Sequence, residues 1–175
     1  MFVHLALVPF IKTAQELKTK PTQHSVHELR GIGIQPHALL CRTEVDLPAD
    51  IKAKLALFCD VPEEAVISAQ DVGTIYEVPL HLKSQGLDTI ILKTLGLTSP
   101  GCDLANWERI VSTIKNPKAE VEIAIIGKYV SFEDSYKSLN EALTHGALAN
   151  GVKLVRRWVE SEELEAKGPS ILNGA

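Results

Sequence analysis

The sequence lacks most of the features that mark membrane, secreted and nucleic-acid-binding proteins. Its apolar runs are shorter than the roughly 20 residues that a membrane-spanning helix needs, and residues 1–8 have no basic leader or cleavage pattern. The three cysteines, Cys41, Cys59 and Cys102, form no C-x-x-C pair, which favours a reduced, cytoplasmic setting. A net charge of −4 disfavours broad nucleic-acid binding. We therefore expect a cytoplasmic protein with neither a membrane nor a nucleic-acid partner.

Patterns that would indicate a reactive thiol or a metal site are also missing. No cysteine follows a strand in a small-residue turn with an evident histidine partner, so buried or incidental thiols are the better interpretation. His24 and His27 share a helix face with Glu28 nearby, but no third convincing ligand accompanies them. The sequence therefore predicts a solvated helix face at this place and no metal site.

Short apolar runs alternate with helical patterns over the first 97 residues. Residues 3–8, 38–41 and 65–68 are candidate buried strands. Helices are predicted from about Pro21 and Pro48, and short helices at residues 78–85 and 88–95, the second ended by Gly96. The residues expected to face the core from the first two helices are Val26, Leu29, Ile32, Ile51, Leu55 and Phe58. Such alternation predicts an α/β fold with a parallel sheet and helices outside it.

The later part of the chain predicts a linker and a second unit. Residues 98–101 mark a boundary, and a helix over residues 104–114 carries an apolar stripe that includes Trp107. A strand at 121–127, a helix capped by Asp134 or Ser135, and a strand at 152–159 make one βαβ unit. One such unit cannot bury both faces of its sheet, so we expect this second domain to be truncated.

The most informative segment is the run of lysines, hydroxyls, a proline and amides that precedes the first helix, Lys18-Thr19-Lys20-Pro21-Thr22-Gln23-His24-Ser25. The first N–H groups of a helix have no internal partner and carry a partial positive charge. Lysines in front of them, with hydroxyl and amide donors, are suited to hold a phosphate. Composition alone leaves a solvated surface loop as the alternative, since proline is favoured in a first helical turn for local reasons.

This segment also resembles the signature of a known family. Lys-Thr-Lys-Pro-Thr-Gln-His-Ser-Val at residues 18–26 is similar to the motif of CTP synthases, the glutamine-dependent ligases that aminate UTP. The resemblance covers essentially the whole chain, and further segments occur in the order that the family shows: Gly31-Ile32-Gly33-Ile34-Gln35-Pro36, Cys41-Arg42, Ala56-Leu57-Phe58-Cys59, Ala65-Val66-Ile67-Ser68, Ser84-Gln85-Gly86-Leu87-Asp88 and Gly127-Lys128-Tyr129.

The resemblance implies a two-domain enzyme. A P-loop-type, Rossmann-like ligase domain binds ATP, magnesium and UTP, and a class I glutamine amidotransferase domain releases ammonia. ATP phosphorylates the uracil 4-oxygen, and ammonia then displaces phosphate to give CTP. Residues 1–97 would be the later part of the ligase domain, 98–120 a linker with a helix, and 121–175 the start of the amidotransferase domain. The family also implies glutamine as a substrate, GTP as an allosteric activator and a homotetramer.

The matching positions imply the binding residues. The expected UTP or CTP contacts are Lys18, Thr19, Lys20, Pro21, Thr22, Gln23 and Lys54, and the expected ATP contacts are Gln70, Asp71 and Val72. Taken alone, Lys54 reads as a solvated helix lysine and Asp71 equally as a helix cap. The phosphate loop, the magnesium ligands and the glutaminase residues are expected outside the chain, so it should carry no catalytic residue and should be inactive alone. The alternative is a non-catalytic module that binds pyrimidine nucleotides for regulation or assembly.

Overall fold

The computed structural model describes residues 1–175, except for the side chain of Glu133. The chain divides into two compact units, Met1–Glu108 and Arg109–Ala175, here named unit 1 and unit 2. No helix among the described residues combines the length and the apolar character needed to cross a bilayer.

Unit 1 alternates strands and helices, as the sequence predicts. Its elements, in chain order, are β1 (Val3–Leu7), β2 (Phe10–Ile11), β3 (Glu16–Leu17), α1 (Lys20–Gly31), β4 (Ala38–Thr43), α2 (Ala49–Cys59), β5 (Val66–Gln70), α3 (Val78–Ser84) and α4 (Leu87–Leu95). β1, β4 and β5 form a parallel three-stranded sheet in that order, which confirms the α/β prediction. β2 and β3 form a small antiparallel hairpin between β1 and α1, which the sequence analysis does not predict.

The core of unit 1 lies between one face of this sheet and the helices α1 and α2. Its buried members are Val8, Val26, Leu39, Cys41, Leu47, Leu55, Cys59, Val61 and Val66. The other face of β1 is open, because Val3, Leu5 and Leu7 alternate with the inward residues and are exposed, Leu5 by 62%. This sheet is therefore closed on one side of β1 and uncovered on the other.

Two residues that the helical spacing assigns to the core are exposed. Ile32 is 75% exposed, because α1 ends at Gly31 and the next residues turn the chain away. Phe58 is 57% exposed, because α2 buries Leu55 and Cys59 and its apolar stripe follows an i, i+4 spacing at that point. The predictions for Ile32 and Phe58 are wrong.

The two short helices predicted after β5 are confirmed as α3 and α4. Gly96 follows α4 with a φ of 65°, the left-handed conformation that favours glycine at a helix end. The next helix, α5 (Ala105–Lys115), confirms the helix predicted over residues 104–114. It buries Val111, and within unit 1 the ring of Trp107 lies 6.1 Å from that of Tyr76.

Unit 2 contains β6 (Ala119–Gly127), α6 (Lys137–Asn150), β7 (Val152–Glu160) and α7 (Ser161–Lys167). β6 and β7 are parallel and α6 connects them, which confirms the predicted βαβ unit. The predicted cap at Asp134 or Ser135 is wrong. A 3-10 turn covers Glu133–Tyr136, and α6 begins after it with Tyr136 in the N-cap position and no side-chain cap.

Candidate functional site

The candidate site lies at the carboxyl edge of the three-stranded sheet in unit 1. The strands β1, β4 and β5 end at Leu7, Thr43 and Gln70, and because they are parallel these ends lie at one edge. The helices α1 and α2 begin beyond this edge, at Lys20 and Ala49. Open parallel sheets bind ligands beyond their carboxyl ends. The fold therefore places the 18–23 segment and the 70–72 segment where a ligand site is expected.

The inner half of the 18–23 segment is bound within the protein. Thr22 is fully buried, and its hydroxyl donates a hydrogen bond of 2.9 Å to the carbonyl oxygen of Leu7 at the end of β1. Thr19 is also buried, and its Oγ1 accepts a 3.1 Å hydrogen bond from Nε2 of Gln23. The Thr22 bond fastens the start of α1 to β1, and the Thr19–Gln23 bond braces the first turn of the helix. A ligand would meet this part of the segment chiefly through its backbone.

Ser25, like Thr22, makes its hydrogen-bond contact within the protein. The sequence analysis places its hydroxyl beside the anion, whereas the structure puts Ser25 Oγ 2.8 Å from Nε2 of His4 on β1. That contact also ties α1 to the sheet.

The outer half of the segment carries the charges. Lys18 and Lys20 are exposed, and Pro21 occupies the first turn of α1, where a missing N–H costs the helix nothing. The backbone N–H of Lys18 donates to the carbonyl of Pro9 over 2.9 Å, so the base of the loop is fixed. The Lys18 ammonium reaches the Glu16 carboxylate over 2.5 Å. The lysines thus stand in solvent at a rigid helix start.

The pKa of Glu16 indicates that Lys54 lies near Lys18. The hydrogen bond from Lys18 holds the pKa of the Glu16 carboxyl below its usual range, and the charges of Lys18 and, more weakly, of Lys54 act in the same direction. Lys54 stands exposed on α2, which is remote from Lys18 in the sequence. Lys18, in the loop before α1, and Lys54, on α2, therefore both lie near one carboxylate. Glu16 is fully exposed, so this effect reports proximity and not stability.

The 70–72 segment is held by Arg42 from the neighbouring strand. The backbone N–H of Asp71 donates to the Thr43 carbonyl over 3.1 Å, which extends the pairing of β4 and β5. Arg42 Nη1 lies 2.5 Å from Asp71 Oδ1 and donates to the Ala69 carbonyl over 3.1 Å. The Asp71 carboxylate is therefore held by an ion pair with Arg42.

The interpretation of Asp71 as a helix cap is wrong. The 3-10 turn that follows it, Ile75–Glu77, is capped by Thr74, whose side chain accepts a hydrogen bond from the N–H of Tyr76. α3 begins only at Val78, with Glu77 in its N-cap position. Asp71 has no part in either helix start.

A groove of about 520 Å³ lies beside this segment, on the face of the sheet where α3 packs. Its polar lining is Arg42, Gln70, Asp71 and His81, and its apolar lining is Leu5, Leu40, Ala69, Val72, Ile75, Val78 and Leu82. Clefts with mostly apolar walls and a few fixed polar groups are typical of small-molecule sites. The structure thus brings Gln70, Asp71 and Val72 together in one groove.

Arg42 and His81 are polar residues of this site that were not assigned from the sequence, and Arg42 could have been. It follows the apolar residues Ala38, Leu39, Leu40 and Cys41 directly. A charged residue at the carboxyl end of an otherwise buried parallel strand is the signal that could have identified it, because such strands are normally apolar throughout.

The described residues include no group of three histidine, cysteine, aspartate or glutamate side chains placed to hold a metal ion. On α1, His24 Nε2 lies 4.0 Å from Glu28 Oε1, and both side chains are largely exposed. Asp71, the acidic residue of the groove, is engaged by Arg42.

Together these features define an α/β protein with a parallel sheet, a basic helix start and a mixed polar and apolar groove at the carboxyl edge of that sheet. Comparison with known families identifies it more closely. Residues 1–97, more than half of the chain, match the family model described as CTP synthase N-terminus. The chain belongs to this family.

Curated relatives agree with this assignment. The chain is 59% identical over 170 residues to a CTP synthase of Koribacter versatilis. The matched residues make up 97% of this chain and 30% of the relative. It is 58% identical over 166 residues to a CTP synthase of Acidobacterium capsulatum, with 95% and 30% covered. For a CTP synthase of Geobacter metallireducens the identity is 56% over 169 residues, with 96% and 31% covered. The chain therefore spans about 30% of the length of the curated relatives that it matches.

Proposed function

We propose that this chain is the part of a CTP synthase that holds the pyrimidine triphosphate and one side of the ATP site. The whole enzyme would use ATP and glutamine-derived ammonia to convert UTP to CTP. The observation that carries the proposal is the convergence of Lys18 and Lys54 on the Glu16 carboxylate beside the start of α1. A triphosphate carries several negative charges, and two ammonium groups at one helix start complement them.

In this proposal the two halves of the 18–23 segment have different roles. Lys18, Lys20 and Lys54 would contact phosphate oxygens, with the phosphate displacing Glu16 as the partner of Lys18. Thr22 would keep the helix start fixed on β1, Thr19 and Gln23 would brace the first turn through their own hydrogen bond, and Pro21 would set that turn. A binding site whose geometry is fixed before the ligand arrives loses less entropy on binding.

The groove beside Gln70, Asp71 and Val72 would receive ATP. Its apolar walls suit a planar base, and its polar groups could fix the orientation of that base. Magnesium supplies charge neutralisation to a nucleotide triphosphate when it is bound. The acidic residues described in this chain do not cluster for a cation. In this proposal the magnesium ligands belong to another part of the whole protein.

The open face of β1 supports the assignment of residues 1–97 to a larger ligase domain, whose N-terminal family model they match. Parallel strands are normally buried on both faces, but Val3, Leu5 and Leu7 are exposed. Further elements of the same domain would cover the part of this face that lies outside the groove. We assign residues 98–120 to a linker and 121–175 to the start of a class I glutamine amidotransferase domain. Glutamine as a substrate, GTP as an activator, a homotetramer and a cytoplasmic location belong to the same proposal for the whole protein.

The test is a nucleotide titration of the 15N-labelled chain, followed residue by residue by NMR. UTP and CTP should shift the amide signals of residues 18–23 and 54, and uridine without phosphates should shift them far less. ATP should shift the signals of residues 70–72. Absence of any UTP or CTP response at millimolar concentration would contradict the proposal and favour an assembly role.

A variant pair sharpens this test. Lys18→Gln should weaken the UTP response, whereas Lys12→Gln, which removes another exposed cation, one paired with Glu44 at 3.0 Å, should leave it unchanged. The isolated chain should also form no CTP from UTP, ATP and glutamine. Turnover by this chain alone would refute the proposed division of the machinery.

A further inference from the structure

The side chain of Gln85 occupies the open edge of β5. Its Oε1 accepts a hydrogen bond of 2.8 Å from the backbone N–H of Ser68, and its Nε2 donates one of 2.6 Å to the carbonyl oxygen of the same residue. Ser68 is fully buried at the centre of β5. One carboxamide therefore satisfies both backbone groups of a buried residue.

This arrangement imitates a neighbouring strand. β5 pairs with β4 on one side and is the last strand of the sheet on the other. A primary amide presents one acceptor and one donor in a plane, as a peptide group does, so Gln85 takes the place that another strand would fill. Buried backbone groups without partners are costly. Gln85 thus lets β5 be buried although no strand of the described chain pairs with its outer edge.

The same network reaches the groove of the candidate site. Nε2 of His81 lies 2.9 Å from the Ser68 carbonyl oxygen and 2.9 Å from Nε2 of Gln85, and His81 also lines the groove with Gln70. On the other side, Lys52 Nζ from α2 lies 3.4 Å from Gln85 Oε1. Gln85 therefore links α2, α3 and β5. It contacts β5 at Ser68, two residues before the 70–72 segment begins.

The local sequence explains how Gln85 reaches the strand. Gln85 is the C-cap residue of α3, directly after Ser84. Gly86 follows with a φ of 77°, a left-handed conformation that favours glycine. The chain then enters α4 at Leu87, which is buried. The Ser84-Gln85-Gly86-Leu87-Asp88 segment, which the proposed binding sites leave unexplained, is thus a turn that directs one amide at the sheet edge.

We infer that Gln85 is a positioning residue for the Gln70–Asp71–Val72 segment. By holding Ser68, two residues before Gln70, it fixes the end of β5 and with it the wall of the groove. This inference rests on the proposed function, because it assigns the segment to ATP. Gln85 itself would not touch the nucleotide.

The test uses the full 175-residue chain and the variants Gln85→Leu and Gln85→Glu. Thr89→Ala, at an exposed position of α4, is the control. Gln85→Leu removes both hydrogen bonds, so amide exchange at Ser68 should become about tenfold faster, the worth of one net hydrogen bond. Exchange at Asp71, whose N–H pairs with Thr43, should also rise, and exchange at Leu39 in the central strand should not. Gln85→Glu keeps the acceptor for Ser68 and should show a smaller effect, which keeps the test usable if the leucine variant does not fold.

The nucleotide readout separates positioning from general structure. In Gln85→Leu the ATP-induced shifts at residues 70–72 should weaken, whereas the UTP-induced shifts at residues 18–23 should stay as in the unaltered chain. An unchanged ATP response in a variant with fast Ser68 exchange would overturn the inference. If the unaltered chain itself gives no ATP response, the ATP part of the proposed function fails, and unchanged Asp71 exchange would then separately overturn the role of Gln85.

Discussion

Unit 1 and unit 2 are both built from parallel strands joined by helices, yet they differ in how far their strands are buried. In unit 1 the central strand β4 is buried at Ala38, Leu39 and Cys41, between two strands and beneath α1 and α2. In the described part of unit 2, β6 and β7 each have one buried apolar residue, Ile125 and Val159.

This difference teaches where a precise site can be built. A three-stranded sheet with two helices encloses a hydrophobic core. The hydrogen bonds that fix α1 and β5 are made to strands that border this core. A two-stranded sheet is marginal by itself, because it has too little apolar surface to bury. The candidate binding residues lie in unit 1, and the account requires its core to be stable independently of unit 2.

The largest expected effect comes from removing a core side chain of unit 1. Leu55→Ala deletes a fully buried side chain of α2 and should lower the free energy of unfolding by about 2–5 kcal/mol. Leu57→Ala, on the same helix but 78% exposed, should change it by less than about 0.5 kcal/mol. Chemical denaturation measures both. Equal losses in the two variants would contradict the core described here.

The second prediction concerns unit 2, where Gly127 lies against the ring of Tyr136 with no room for a side chain. A Cβ on Gly127 would lie 2.2 Å from the hydroxyl oxygen of Tyr136, which now donates a 2.6 Å hydrogen bond to the Lys128 carbonyl. Gly127→Ala should therefore destabilise unit 2 by about 1–3 kcal/mol. Gly146→Ala, in open space on α6, should stabilise it by up to about 1 kcal/mol. NMR signals of unit 1 should be unaffected in both variants, and loss of those signals would show that the cores are not separate.

Alkaline pH should act on unit 1 through its buried thiols. Burial raises the pKa of Cys41 from 9.0 to about 12, and burial also raises the pKa of Cys59. The folded state keeps the Cys41 proton above pH 9, where the unfolded chain loses it. This contribution to stability is full below pH 9 and declines by at most about 1.4 kcal/mol per pH unit toward pH 12.

The measurement is the urea midpoint of unit 1 between pH 8 and 10. Cys41→Ala should flatten the alkaline decline, and Cys102→Ala, at an exposed cysteine, should leave it as it is. A decline of the same slope in Cys41→Ala and in the unaltered chain would exclude Cys41 as its source.

The smallest expected effect concerns the lysine cluster. Because Lys18 and Lys54 lower the pKa of Glu16, Lys18→Gln should raise that pKa and Lys54→Gln should raise it by a smaller amount. A side-chain NMR titration of Glu16 measures both shifts. No response to Lys54→Gln would show that the two lysines do not converge, and the shared triphosphate site would lose its support.

The sequence predicts the repeating parts of this fold because they carry a period. Buried strands such as 38–41 and the helices after Pro21 and Pro48 are recovered within a few residues. The β2–β3 hairpin is missed because strands of two residues are too short to show alternation. Phe58 is misplaced because helical spacing allows i+3 and i+4 partners, and only packing selects Cys59.

The site follows the same rule. The sequence brings out the 18–23 and 70–72 segments through local chemistry and family resemblance, and parallel topology explains why they lie at one sheet edge. It cannot separate Lys18, which reaches solvent, from Thr22, which is buried against β1, because that depends on how α1 sits on the sheet. The approach of Lys54 to Glu16 and of Gln85 to Ser68 likewise depends on tertiary packing.

The most direct test of the central claim is the dissociation constant of UTP from the 175-residue chain, measured by calorimetry at one ionic strength. We expect measurable binding that Lys18→Gln weakens about tenfold or more, since hydrogen bonds to charged groups are the strong ones. Lys12→Gln should bind UTP as the unaltered chain does. Equal weakening by both substitutions would mean that UTP responds only to net charge, and it would contradict a triphosphate site at Lys18.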